Sequence, residues 1–241
     1  MSYIDDFKAD ALARFPQEAC GFVVDDQYIA APNTAADPLH DFKISAIDRM
    51  NLVGDRKISA ILHSHPYKIN EVPKYPAVWP STADMTSYLA MGIPWGIVAT
   101  EGETTSDVVW LDDDVILNAP LDGREFVHGV FDCYSAIRSW FWQHKNIRLP
   151  DFARGMEWWD TGEDLYDQNF KDAGFIEIPL DQAQSGDCVM VKIRSKVTNH
   201  AAVITGPASV YHHAYGRLSG TDEQWLNKWH RYIERVVRYS P

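Results

Sequence analysis

Two groups of residues in this 241-residue chain have the types and spacing that chemistry needs. The first is His63-Ser64-His65, which follows the apolar run ISAIL (58–62). Residues i and i+2 of a strand project from one face, so both imidazoles can converge on a single ion. A catalytic zinc takes three protein ligands and keeps a fourth position for water. Two histidines therefore call for a carboxylate, and Asp84, in the first turn of a helix predicted over 81–92, is placed to supply it. Glu18, just before the first predicted hairpin, is the candidate general base for the water. A plainer reading stands beside this one: Ser81-Thr82-Ala83-Asp84 also has the spacing of a helix capping box, and an HxH pair can be structural.

The second group surrounds a thiol. Asp132-Cys133 opens a helix predicted over 133–144, and a cysteine at a helix N-terminus feels the positive end of the macrodipole, which favours thiolate. His200 begins the apolar strand HAAVI and His212 ends the strand SVYHHA. A nucleophile, a base and a group orienting the base need only be close in space, so wide sequence spacing is expected. The adjacent His213 points to the opposite face of the strand. Asp132 also reads as a simple N-cap, and Cys20 and Cys188 read as small buried apolar residues.

The elements that would carry these groups fall into two halves. A helix over 2–15, a hairpin of strands 21–24 and 27–31, strand 58–62, helix 81–92 and strands 95–100 and 107–112 make the first half an α/β or α+β domain over 1–117. A linker is expected around 115–122, where an acidic cluster, Pro120 and Gly123 break the patterning. In the second half a helix at 133–144 and another near 163–172 precede short strands at 187–193, 200–204 and 209–213. A helix near 222–230 and a strand at 231–239 close it. Helices first and an antiparallel sheet afterwards mean α+β over 123–241.

Charge divides the same way: residues 1–120 carry 8 Lys/Arg against 18 Asp/Glu, residues 121–241 carry 14 against 16. The total of −12 disfavours general nucleic-acid binding. No apolar run approaches the ~20 residues of a membrane span, and the opening MSYIDDFKAD lacks the basic and apolar regions of a signal peptide. Three widely spaced cysteines argue against a disulfide framework.

Glu18-Ala19-Cys20-Gly21, then His63-Ser64-His65-Pro66, then Pro80-Ser81-Thr82-Ala83-Asp84 together resemble the JAMM (Mov34/MPN/PAD-1) metallopeptidases. The resemblance implies Zn2+ held by His63, His65 and Asp84, Glu18 serving the water, and Ser81 steadying the oxyanion. One departure is the long, proline-rich insert 66–80 between His65 and Ser81. The segments FDCYSAIRSWF, SGDCVMVKI and NHAAVITGPASVYHHAYGRLS resemble the NlpC/P60 cysteine peptidases. That resemblance implies a papain-like α+β fold with Cys133 as nucleophile, His200 as base and His212 as its orienter. Where that family often has a tyrosine shortly before the Asp-Cys, this chain reads Phe126-Val127-His128-Gly129, with His128 as a weaker stand-in.

A JAMM-like domain followed by an NlpC/P60-like domain resembles the tail assembly proteins of lambda-type phages. The resemblance implies assembly in the host cytoplasm, a place at the virion tail tip among other tail proteins, and cleavage of peptidoglycan stem peptides by the second domain. The first domain would process a tail protein or cut a wall cross-link. The alternative is a structural tail-tip adaptor whose sites are inactive or bind zinc only as scaffolding, with the acidic first half as a docking surface. A ubiquitin-type deconjugase would explain the first half alone.

Overall fold

The computed structural model describes residues 2–69 and 75–241, so Pro73 and its neighbours in the 66–80 insert lie outside the described residues. The chain forms two compact units, residues 1–80 with 87–113 and residues 81–86 with 114–241. Both mix helices with sheet, so the protein is α+β.

The first unit is built on a five-stranded sheet of order β2-β1-β3-β4-β5. Its elements are α1 (Tyr3–Arg14), β1 (Cys20–Val24), β2 (Gln27–Ala31), α2 (Ala46–Val53), β3 (Ala60–Pro66), the part from residue 87 on of α3 (Thr82–Met91), β4 (Trp95–Thr100) and β5 (Val109–Leu111). Helix α1 starts at a reciprocal cap between Ser2 and Asp5, which satisfies amides that no helical carbonyl reaches. It packs Phe7 and Ala11 onto Ala19, Val23, Ala60, Leu62 and Val98 of one sheet face. Strands β1 and β3 pair antiparallel with Cys20 opposite His63, so alternation puts His63 on the other face. There its ring stacks on Phe42 at 4.5 Å and meets the edge of Trp95 at 5.7 Å.

Strand β3 begins at Ala60, two residues later than the apolar run suggests, and runs on through both histidines to Pro66. Parallel pairing with β4 holds this extension, His63 against Ile97 and His65 against Ala99. The polar Ser64 is accommodated because its Oγ accepts the Ala19 amide at 2.9 Å. Helix α2 was not expected; Ser45 caps it through the Asp48 amide.

The second unit has α4 (Asp113–Asn118), α5 (Cys133–Lys145), α6 (Trp158–Thr161), α7 (Leu165–Asn169), β6 (Phe175–Ile178), β7 (Cys188–Val191), β8 (His200–Ile204), β9 (Val210–His212), β10 (Gly220–Asp222), α8 (Trp225–Trp229) and β11 (Ile233–Tyr239). Its sheet has the order β10-β9-β8-β7-β11-β6, antiparallel throughout. Both faces are covered. Cys188, Met190, Ala201 and Val203 pack against Ile137, Trp140 and Phe141 of α5, while Val189, Val191, Ala202 and Ile204 pack with Trp225. The expected linker at 115–122 is helical in part, because Ile116 and Leu117 are buried and Ser139 of α5 donates to the Ile116 carbonyl at 2.9 Å.

Phe141 is 2% exposed and meets the rings of Phe175 at 5.3 Å and Tyr239 at 5.8 Å, so it joins α5 to both strands of one sheet edge. Phe141→Ala is expected to cost about 3–5 kcal/mol, read from urea unfolding followed by tryptophan fluorescence. A loss below about 1 kcal/mol would mean this contact does not hold α5 to the sheet.

Candidate functional site

Cys133 is the first residue of α5, and Asp132 is its N-cap. The Asp132 carboxylate accepts the amides of Tyr134 at 3.1 Å and Ser135 at 3.0 Å, and that of Gly129 at 2.9 Å. Arg154 completes its shell, with Nε at 2.6 Å and Nη2 at 3.1 Å. Burial alone would raise this carboxyl, but Arg154 and the amides hold it well below the usual carboxylate range. Arg154 also donates to Asp151 at 2.7 Å, and Asp151 pairs with Arg138 at 3.0 Å. Two guanidinium groups and two carboxylates thus alternate beneath the start of α5, all nearly free of solvent.

The thiol itself is half-buried. Burial pushes it up to about 11, and the negative charge of Asp132 adds to that. The expectation that a helix N-terminus favours thiolate therefore fails here: desolvation and the capping carboxylate outweigh the helix dipole. The Tyr166 hydroxyl, on α7, donates to Cys133 Sγ at 3.1 Å.

His200 lines the same cavity as Cys133, a space of about 300 Å³ bounded also by His128, Tyr166, Trp158 and Trp159. Its Nε2 lies 3.0 Å from Nδ1 of His212, so strands β8 and β9 put the two rings edge to face. Burial lowers His200 to about 3, with His212 and His213 adding to the shift; burial likewise lowers His212 to about 4. Both imidazoles are neutral at pH 7. With Nε2–H of His200 donating to His212, the Nδ1 lone pair of His200 is left to take a proton.

Cys133 and His200 thus line one cavity, and His200 is bonded to His212. His213 is fully buried, lines the cavity and bonds through Nε2 to the Arg217 carbonyl at 3.1 Å. His128 is also buried against the cavity, its Nε2 3.1 Å from the Arg154 carbonyl. Tyr166 and Arg154 had no sequence signal: each lies in a stretch of aromatics and acids with no pattern, and only folding joins them to Cys133.

In the first unit the Nε2 atoms of His63 and His65 stand 3.0 Å apart. His65 Nδ1 is 2.7 Å from the Ala77 carbonyl; a proton there leaves Nε2 as a lone pair, the arrangement of a metal-binding histidine. One ligand atom from each of His63, His65 and Asp84 lies within 4.8 Å of the others. Asp84 and Ser81 also form the capping box, Ser81 N to Oδ2 at 2.7 Å and Asp84 N to Oγ at 3.1 Å. Both readings of these residues are therefore compatible with the same local structure. Glu18 is buried and adjoins the bonded pair Ala19–Ser64. No helix among the described residues is long and apolar enough to cross a membrane.

The NlpC/P60 family model matches residues 123–238. Tail tip assembly protein K of Escherichia phage N15 is 29% identical over 248 residues, spanning 98% of this chain and 94% of that protein. Among solved structures, the NlpC/p60 domain of the peptidoglycan hydrolase SagA aligns at 18% identity with a TM-score of 0.35, over 53% of this chain and 99% of that one. Tail tip assembly protein K of Escherichia phage lambda is 33% identical over 183 residues, or 76% of this chain and 82% of that protein. The chain belongs to the tail tip assembly protein K family of lambda-like phages and carries an NlpC/P60 domain in its second half.

Proposed function

We propose that the chain is a tail-tip hydrolase whose second unit cleaves peptidoglycan stem peptides by thiol acyl transfer. The observation that carries this reading is the shared cavity of Cys133 and His200, with His200 bonded to His212. His200 Nδ1 takes the Cys133 proton as sulfur attacks the peptide carbonyl, forming the C–S bond. The tetrahedral adduct then collapses, the C–N bond breaks, and the leaving amine takes the proton from His200. Water attacks the thioester, gives its proton to His200, and releases the acid product while the proton returns to sulfur. His212 holds the imidazole in the tautomer that this sequence needs. Trp158 and Trp159 offer aromatic surface along the cavity for the stem peptide. Other tail-tip proteins are the partners of assembly, and the cell wall is where the virion-borne enzyme acts.

For the N-terminal half of the chain the reading is a zinc peptidase-like centre held by His63, His65 and Asp84. The two imidazoles and one carboxylate fit zinc, since the fixed Nδ1 of His65 leaves Nε2 for it. Zinc bound there supplies a Lewis acid and a water of lowered pKa. Glu18 would hold that water's proton, and the Ser81 hydroxyl would donate to an oxyanion. Its substrate would be a tail protein or a wall cross-link.

Three outcomes are expected. Purified peptidoglycan digested with the parent releases new muropeptides by mass spectrometry, and Cys133→Ala abolishes them; an unchanged Cys133→Ala would remove the thiol assignment and favour the adaptor alternative. Replacing His63 and His65 together by Ala empties the protein of zinc by elemental analysis while wall cleavage persists, and a full zinc content would refute the ligand set. Finally, alkylation by iodoacetamide follows the thiolate fraction. A thiol near 11 beside a neutral His200 that protonates only near 3 gives a rate that climbs with pH toward 11. An inflection between pH 6 and 7 would instead reveal a standing thiolate–imidazolium pair.

A further inference from the structure

We propose that Tyr166 is a further catalytic residue of the thiol site, donating its hydroxyl hydrogen bond to the oxyanion of the tetrahedral adduct. This rests on the acyl-transfer reading of Cys133 given above. The hydroxyl already stands 3.1 Å from Sγ. When sulfur bonds to the carbonyl carbon, the oxyanion is only two bonds from Sγ, so a donor at that distance from sulfur is within reach of the oxygen.

The alternatives nearby are largely engaged. Of the first three amides of α5, those of Tyr134 and Ser135 are taken by the Asp132 carboxylate, which leaves the cap's hold off the Cys133 amide alone. Oxyanion sites draw on more than one donor in the well-studied cases. His128, the stand-in for the family's tyrosine, has its Nε2 on the Arg154 carbonyl. Tyr166 supplies the second donor from a different element.

Its position is built into the unit. Asp167, the next residue of α7, accepts from Thr198 Oγ1 at 2.9 Å, two residues before His200, and from Arg235 of β11. Arg235 is held in turn by Glu177 at 2.6 Å. The Tyr166 ring packs against Trp158 at 6.0 Å and Tyr134 at 6.3 Å. Burial and the neighbouring sulfur keep the phenol well above its ordinary pKa, so it remains a donor through the cycle and gives up no proton.

The test separates oxyanion stabilisation from thiol reactivity. Acylation by p-nitrophenyl acetate passes through a tetrahedral oxyanion, and alkylation by iodoacetamide does not. Tyr166→Phe removes one oxygen, and a thermal melt compared with the parent's verifies the fold. The variant is expected to acylate about a hundredfold more slowly, while its alkylation profile moves only modestly up in pH, because the lost bond to sulfur favoured the thiolate, and its alkylation of the formed thiolate stays within about a few-fold of the parent's. Equal losses in both reactions would make Tyr166 a residue that tunes or positions the thiol, and unchanged or faster acylation would show a bond that must break before attack; either overturns the proposal. A parent that gives no nitrophenolate burst overturns acyl transfer at Cys133, and the role of Tyr166 with it. A burst without muropeptide release would overturn the wall substrate alone.

Discussion

The N-terminus of α5 depends on one buried carboxylate. Asp132 accepts three amides and two guanidinium N–H groups, more partners than a simple helix cap provides. Removing a carboxylate and a guanidinium from water is costly, and the pair holds only where every remaining donor and acceptor is satisfied. Here Arg154 is bound also by Asp151, Ser135 and the Phe152 carbonyl. The network therefore ties residues 151–154 to the first turn of α5 and leaves little freedom in where Cys133 begins its helix. Position is obtained at the expense of ionisation, because the same negative charge that anchors the helix opposes a second one on the neighbouring sulfur.

The two units solve the positioning of their polar groups with different periodicities. In the second, a helix presents a single residue at its first turn while two neighbouring strands supply His200 and His212. In the first, one strand brings two imidazoles together through its two-residue repeat. Phe42 and Trp95 hold the ring of His63 by packing, and a backbone carbonyl holds that of His65. Neither arrangement uses a long flexible side chain, which limits the rotamer freedom lost when the groups converge.

What the sequence made legible follows strength of pattern. Strong apolar runs and marked ends placed α1, β2, α3, β4, α5 and β8 within a residue or two. The extension of β3 through His63-Ser64-His65 was hidden because apolar content stops at Leu62, and only pairing with β1 and β4 keeps the polar part extended. Short α2 and α4 and strands β6 and β10 were missed, since a few residues carry too little periodicity to separate helix from loop. Cys133, His200 and His212 were legible through resemblance of whole segments. Tyr166 was not, because its approach to sulfur is set by Asp167, Thr198 and Arg235, which no local spacing connects.

A neutral resting site follows from the choice of partner for the base. A carboxylate behind His200 would favour the imidazolium and with it a standing thiolate. His212, half-buried at the end of β9, is neutral and gives no such charge; His200 lies low and Cys133 high. On the reading of Cys133 as nucleophile and His200 as base, charge separation would arise during attack, when proton transfer to His200 and C–S bond formation proceed together. In a cavity lined mainly by aromatic and aliphatic side chains, that charge finds little water, so donors already in place govern the barrier. The hydroxyl beside Sγ is a side-chain donor that the fold sets there, and its helix is fixed through Thr198, at the edge of the strand β8 that carries His200, and through Arg235 of β11. On the acyl-transfer reading, base and donor are in this way referenced to one sheet while the Asp132 network sets the nucleophile, an arrangement by which a site without a resident thiolate would meet the charge it creates.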